Sequence, residues 1–125
     1  MLNQLSRHFK LTALLALILL PYSQLHAHAV VTDTSLNVEK IAPNKATKVR
    51  LTFNSQVELG LSQIFLVSAG DKMQLLNAEP GGHQGNVIID IPPLTPGEYA
   101  LKLSIFAADG HLSEDIVRFF VAEGK

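Results

Sequence analysis

The 125-residue sequence contains no cysteine and no tryptophan. Without cysteine there can be no thiolate metal site, no thiol nucleophile and no disulfide framework. Tyrosine occurs only as Tyr22 and Tyr99, which leaves little from which to build a flat, sugar-binding aromatic platform. Basic residues are not in excess: ten Lys and Arg stand against eleven Asp and Glu. Nucleic acid requires a basic footprint and is therefore not an expected partner. Also missing are a G-x-S-x-G elbow, an H-E-x-x-H pair and a phosphate-cradling glycine loop ahead of a helix. No amphipathic helix of useful length, internal repeat or low-complexity linker is present.

One long apolar run does occur, at residues 11–20 (LTALLALILL), behind Arg7, His8 and Lys10. Pro21 and Tyr22 end it, and a short stretch leads to small residues. This is the three-part layout of a secretory signal peptide. Spanning a bilayer takes roughly 20 apolar residues, so the run is too short for a permanent membrane helix. The expected organisation is a cleaved signal peptide at 1–27 and one domain at 28–125. Cleavage after Ala27 makes His28 the first residue of the exported chain. Cleavage after Ala29 has Ala27 at −3, a cleaner match to A-x-A, and deletes His28. Both remain open from the sequence. The domain keeps eight of the ten basic residues and all eleven acidic ones, a formal charge of −3.

Within 28–125 the hydrophobic pattern is that of strands. Residues 48–53 (KVRLTF) place Val49, Leu51 and Phe53 on one face. Residues 63–68 (QIFLVS) are almost wholly apolar, as in a strand covered on both sides. Val87, Ile89 and Ile91 alternate, as do Tyr99, Leu101, Leu103 and Ile105, and Val117, Phe119 and Val121. Alternation over four to eight residues marks half-buried strands. Turn residues separate the runs, among them Pro80-Gly81-Gly82, Pro92-Pro93, Pro96-Gly97 and Asp109-Gly110. The expected fold is all-β: an immunoglobulin-like Greek-key sandwich or barrel of about seven strands. Tyr99, at the Leu94–Tyr99 corner, is either a tyrosine corner of that fold or an ordinary strand residue.

Three histidines remain in the domain: His28, His83 and His111. Imidazole is the commonest nitrogen ligand for a borderline metal, and a carboxylate can complete its set. Asp109 and His111 flank Gly110. An extended chain sends both side chains to one side, and a turn at glycine lets them converge. Either geometry suits one ion, but Asp-Gly is also an ordinary hairpin turn, and the spacing does not decide between these. An N-terminal His28 would offer its α-amine and imidazole together. With His111 and Asp109 that makes the nitrogen–oxygen set Cu(II) favours. Glu114 and Asp115 follow as possible supports for His111 or as solvated charges. His83, in Pro80-Gly81-Gly82-His83-Gln84-Gly85, reads as an exposed loop residue.

These features resemble the CopC family of periplasmic copper-binding, copper-resistance proteins. The resemblance rests on His28-Ala29 after the signal peptide, on Leu51-Thr52-Phe53-Asn54-Ser55-Gln56-Val57, on the corner from Leu94 to Tyr99, and on Ala107-Ala108-Asp109-Gly110-His111 with the closing Phe119-Phe120-Val121. It implies Cu(II) held by His28, Asp109 and His111 in a non-catalytic carrier or buffer. That carrier would work in the periplasm and exchange copper with an inner-membrane transporter of CopD type. A monomer with no membrane span after processing is expected. Met73 is the one methionine in 28–125, so the Met-rich Cu(I) site of some members is not expected. The sequence departs from the family in having no Trp before Asp109, Leu112 after His111, and Thr34-Ser35-Leu36-Asn37-Val38 near the start. Two alternatives belong to other classes. A copper-dependent oxidative enzyme with a histidine brace would turn over oxygen or peroxide on glycans. A metal-free structural sandwich would fit a mature chain beginning at Val30.

Overall fold

The computed structural model describes residues 29–124, so the expected signal peptide and His28 lie outside the described residues. Eight strands follow in order: β1 (Val31–Thr34), β2 (Thr47–Phe53), β3 (Gln63–Ser68), β4 (Lys72–Leu75), β5 (Ala78–Pro80), β6 (Asn86–Ile91), β7 (Gly97–Phe106) and β8 (Leu112–Val121). They form two four-stranded sheets, ordered β1-β2-β6-β5 and β4-β3-β7-β8. Every strand pairing is antiparallel. The chain changes sheet after β2, β4 and β6, which is the immunoglobulin-like Greek key with an added strand beside β3. Among the described residues no helix is long and apolar enough to cross a membrane.

The alternation in the sequence becomes the core. Val49, Leu51 and Phe53 of β2 and Val87, Ile89 and Ile91 of β6 are buried, facing Ile64, Leu66, Leu101, Leu103 and Ile105 of the other sheet. Burying such side chains is the main favourable term in folding. β3 departs from expectation: Ile64 and Leu66 are buried, but Phe65 and Val67 on its other face are only half-buried. The outer face of this sheet carries no covering layer among the described residues, so β3 is covered on one side.

The corner before β7 is a true tyrosine corner. The Tyr99 hydroxyl donates to the Thr95 carbonyl at 2.8 Å, and its ring stacks on Phe119 with centroids 5.8 Å apart. The hydrogen bond ties the loop to the start of the long hairpin. Tyr99→Phe keeps the ring and removes the hydroxyl. It is expected to lower unfolding free energy by about 1 kcal/mol. Denaturant titration would read this, and an unchanged midpoint would mean that the corner contributes nothing.

Candidate metal centre

β7 and β8 are joined by a short turn, and both D-G-H side chains sit on it. Gly110 has φ +90°, the left-handed region that glycine tolerates. Its N–H donates to the Ala107 carbonyl at 2.9 Å, and the Ala107 N–H donates to the His111 carbonyl at 2.9 Å. The turn is therefore closed by its own backbone. Both sequence readings hold together: Asp-Gly is a hairpin turn, and the turn makes Asp109 and His111 converge. His111 Nδ1 lies 3.1 Å from Asp109 Oδ2, and the His111 N–H donates to Asp109 Oδ1 at 3.1 Å. Both side chains are a little under half exposed, at 48% and 41%.

These bonds hold the Asp109 carboxyl below its ordinary value, first through the His111 backbone N–H and then through the imidazole. The sign follows from linkage. A depressed folded value contributes stability above the unfolded value, and this is lost as pH falls through the folded one. In an NMR titration the Asp109 carboxyl is expected to show a midpoint below that of a peptide aspartate. His111→Ala should raise that midpoint only part of the way, since the backbone donor remains. An ordinary midpoint in the unsubstituted protein would contradict the pairing.

The turn is anchored from beneath by the segment after β2. The Ala108 N–H donates to the Gln56 carbonyl at 3.0 Å, the Glu58 N–H donates to the Phe106 carbonyl at 2.8 Å, and Val57 bridges Ala107. Two residues before Gln56, Asn54 holds the start of the described chain. The Val30 N–H donates to Asn54 Oδ1 at 2.9 Å, and the Asn54 N–H donates to the Val30 carbonyl at 3.1 Å. Ala29 is buried in the core. The first described residues and the D-G-H turn are thus fastened to one short segment, residues 54–58. The sequence named Asn54 and Gln56 only as part of the Leu51–Val57 segment, with no anchoring role, because an Asn or Gln after a strand does not announce its partners.

His83 lies on the β5–β6 loop, exposed, with its carbonyl accepting from the Asn86 N–H at 3.0 Å. This matches the expected loop residue. Gln84 joins the loop to Gln56 through their side-chain amides at 2.8 Å. Glu114 and Asp115 are exposed, and Asp115 Oδ1 accepts from the Ile116 N–H. Among the described residues no group of three or more His, Asp or Glu side chains could hold a metal ion. Asp109 and His111 supply one oxygen and one nitrogen, so a metal held there would need a further donor.

Fold and site together define a class: a small immunoglobulin-like β-sandwich with an exposed imidazole–carboxylate pair on the turn between its last two strands. The family model for the CopC domain matches residues 31–122, and the chain belongs to the CopC family. Solved structures agree in fold. CopC from Methylosinus trichosporium OB3b aligns with TM-score 0.67 at 24% identity, covering 78% of this chain and 97% of that one. PcoC, a methionine-rich copper resistance protein from Escherichia coli, aligns with TM-score 0.57 at 22% identity, covering 77% and 100%. No curated protein matches the sequence.

Proposed function

We propose that the chain is a periplasmic, non-catalytic copper carrier or buffer in copper homeostasis or resistance. It is exported by residues 1–27, cut after Ala27, and holds one Cu(II) through the amine and imidazole of His28, with Asp109 and His111. Copper is its cargo, exchanged with an inner-membrane transporter of the CopD type. The observation that carries this reading is the 3.1 Å Asp109–His111 pair, anchored on the segment that also receives the first described residues.

The donor chemistry suits the ion. An imidazole whose Nδ1–H points at a carboxylate carries its lone pair on Nε2, and carboxylates support metal-binding histidines in this way. Each Asp109 oxygen keeps a second lone pair beyond its bond to His111. Two nitrogens from His28, one from His111 and an oxygen from Asp109 make the tetragonal set Cu(II) favours. The burial of Ala29 supports cleavage after Ala27, because cutting after Ala29 would remove a core residue and turn the Val30 amide into a charged amine. Membership of the CopC family and the copper resistance function of PcoC support the copper assignment.

The test is titration of the exported protein with Cu(II), followed by electron paramagnetic resonance and N-terminal sequencing. One tetragonal species with nitrogen couplings is expected per chain. His111→Ala should weaken binding more than Asp109→Ala, and His83→Ala should leave it unchanged. Protein that begins at His28 yet lacks a tight Cu(II) site would refute the proposal. Cu(I) is expected to bind weakly, because cysteine is absent and Met73, the one methionine in 28–125, is isolated on β4. A sulfur shell in X-ray absorption of the reduced protein would contradict that.

A further inference from the structure

We propose that Asn54 is the positioning residue of the copper site: its side chain ties down the first residues of the exported chain and so holds His28 in place for the metal. This rests on the reading of His28, Asp109 and His111 as ligands. β1 and β2 pair antiparallel from Thr34 and Leu51 to Val31 and Phe53, where β2 ends. The next pair along that ladder is Val30 and Asn54, but the chain bends at Asn54 and Ser55. A hydrogen-bonded antiparallel pair exchanges two N–H···O bonds. Here the Asn54 N–H supplies one, to the Val30 carbonyl at 3.1 Å. The other is accepted by a side chain: the Val30 N–H donates to Asn54 Oδ1 at 2.9 Å. The side-chain carbonyl stands in for the backbone carbonyl that the bend turns away.

Chain ends fray unless something holds them. Val30 is 48% exposed and β1 is an edge strand, so sheet pairing alone holds this end weakly. The buried Ala29 is a second hold, but a methyl group in a core fixes no direction. The Asn54 bonds do fix one, two residues from His28. Their support is itself braced. The Phe53 N–H donates to the Gly85 carbonyl at 2.7 Å, and the Gln56 side chain accepts from Gln84 at 2.8 Å. The Gln56 carbonyl also carries the D-G-H turn through the Ala108 N–H, so tether and turn share one support. Among the described residues no hydrogen bond joins Asn54 to the turn, so its route to the metal runs through His28. When the end frays, only the docked fraction of molecules brings the His28 nitrogens to Asp109 and His111, and the apparent affinity falls by that fraction.

In competition titration of the exported protein against a chelator, Asn54→Ala is expected to weaken Cu(II) binding about fivefold, the fold-change of one net hydrogen bond. Asn54→Asp keeps the accepting oxygen and should bind at least as tightly as the unsubstituted protein. In the His28→Ala background Asn54→Ala should cost nothing more, because the end it holds no longer carries the imidazole. Thr32→Ala removes a different bond of the same strand, from Thr32 Oγ1 to the Thr52 carbonyl at 3.2 Å, and should leave affinity unchanged. Metal-free protein gives an independent readout. Amide exchange at Val30 should speed up in Asn54→Ala, while Ala108 and Gly110 exchange as before. Four results would overturn the role: equal copper affinity of Asn54→Ala and unsubstituted protein, an equal loss in Asn54→Asp or Thr32→Ala, the same loss without His28, or unaltered exchange at Val30. Unsubstituted protein that begins at His28 and binds no Cu(II) would instead overturn the copper reading, and this role with it.

Discussion

Adding a single residue in front of His28 is expected to weaken Cu(II) binding by more than about a hundredfold, the upper end of what even a supporting residue costs in metal affinity. In the proposed site His28 contributes two of three nitrogens, and one is its α-amine. An added residue converts that amine to an amide, which no longer offers a lone pair at neutral pH, while the imidazole, Asp109 and His111 stay as they were. Because the donors must be deprotonated, affinity should also fall as pH drops through the range where amine and imidazoles protonate. Competition titration of the exported, extended and His28→Ala proteins against a chelator of known affinity makes the comparison. Equal affinity of extended and exported proteins would remove the α-amine from the ligand set.

Leu103→Ala should destabilise the sandwich by about 2–5 kcal/mol. Leu103 is fully buried at the middle of β7, opposite Ile64 of β3 and Asp115 of β8. Truncation loses both the burial of its methyl groups and the packing around the space they leave. Domains of this size hold only about 5–15 kcal/mol in total, so the melting temperature should drop on the order of 10 °C or more. Lys102→Ala, the outward neighbour on the same strand, should change stability by no more than about 0.5 kcal/mol. Similar losses from the two variants in calorimetry would mean that the core does not lie where Leu103 points.

The strands legible in the sequence were those that bury one face. Residues 63–68 and 86–91 coincide with β3 and β6, and the expected runs at 48–53, 98–105 and 115–121 lie within β2, β7 and β8. β1, β4 and β5 escaped, and all three are edges. β4 is exposed along its whole length, and β5 has three residues ending in Pro80, so neither carries an alternation to read. At the site, Asp109 and His111 stood out because few residue types bind metals. Their convergence at a Gly110 turn was one of the readings the spacing left open, because deciding it takes the positive φ of Gly110 and a carbonyl of Gln56 that is distant in sequence. Gly85 is a similar case. Its carbonyl accepts from Phe53, and an added Cβ would stand 2.6 Å from the Phe53 oxygen, a closeness that pairing alone reveals.

The turn from Ala107 to His111 closes its own backbone hydrogen bonds before any ligand is considered. The backbone of this turn therefore does not need a metal ion to close it. Arrival of copper should then raise the melting temperature only by mass action, in step with free ion concentration and affinity. If copper binds as proposed, loaded and empty protein should share the backbone of this turn, with near-identical amide exchange there. If the chain carries copper as proposed, a docking membrane protein could not tell loaded from empty by the shape of this turn, and would have to sense charge and coordination there.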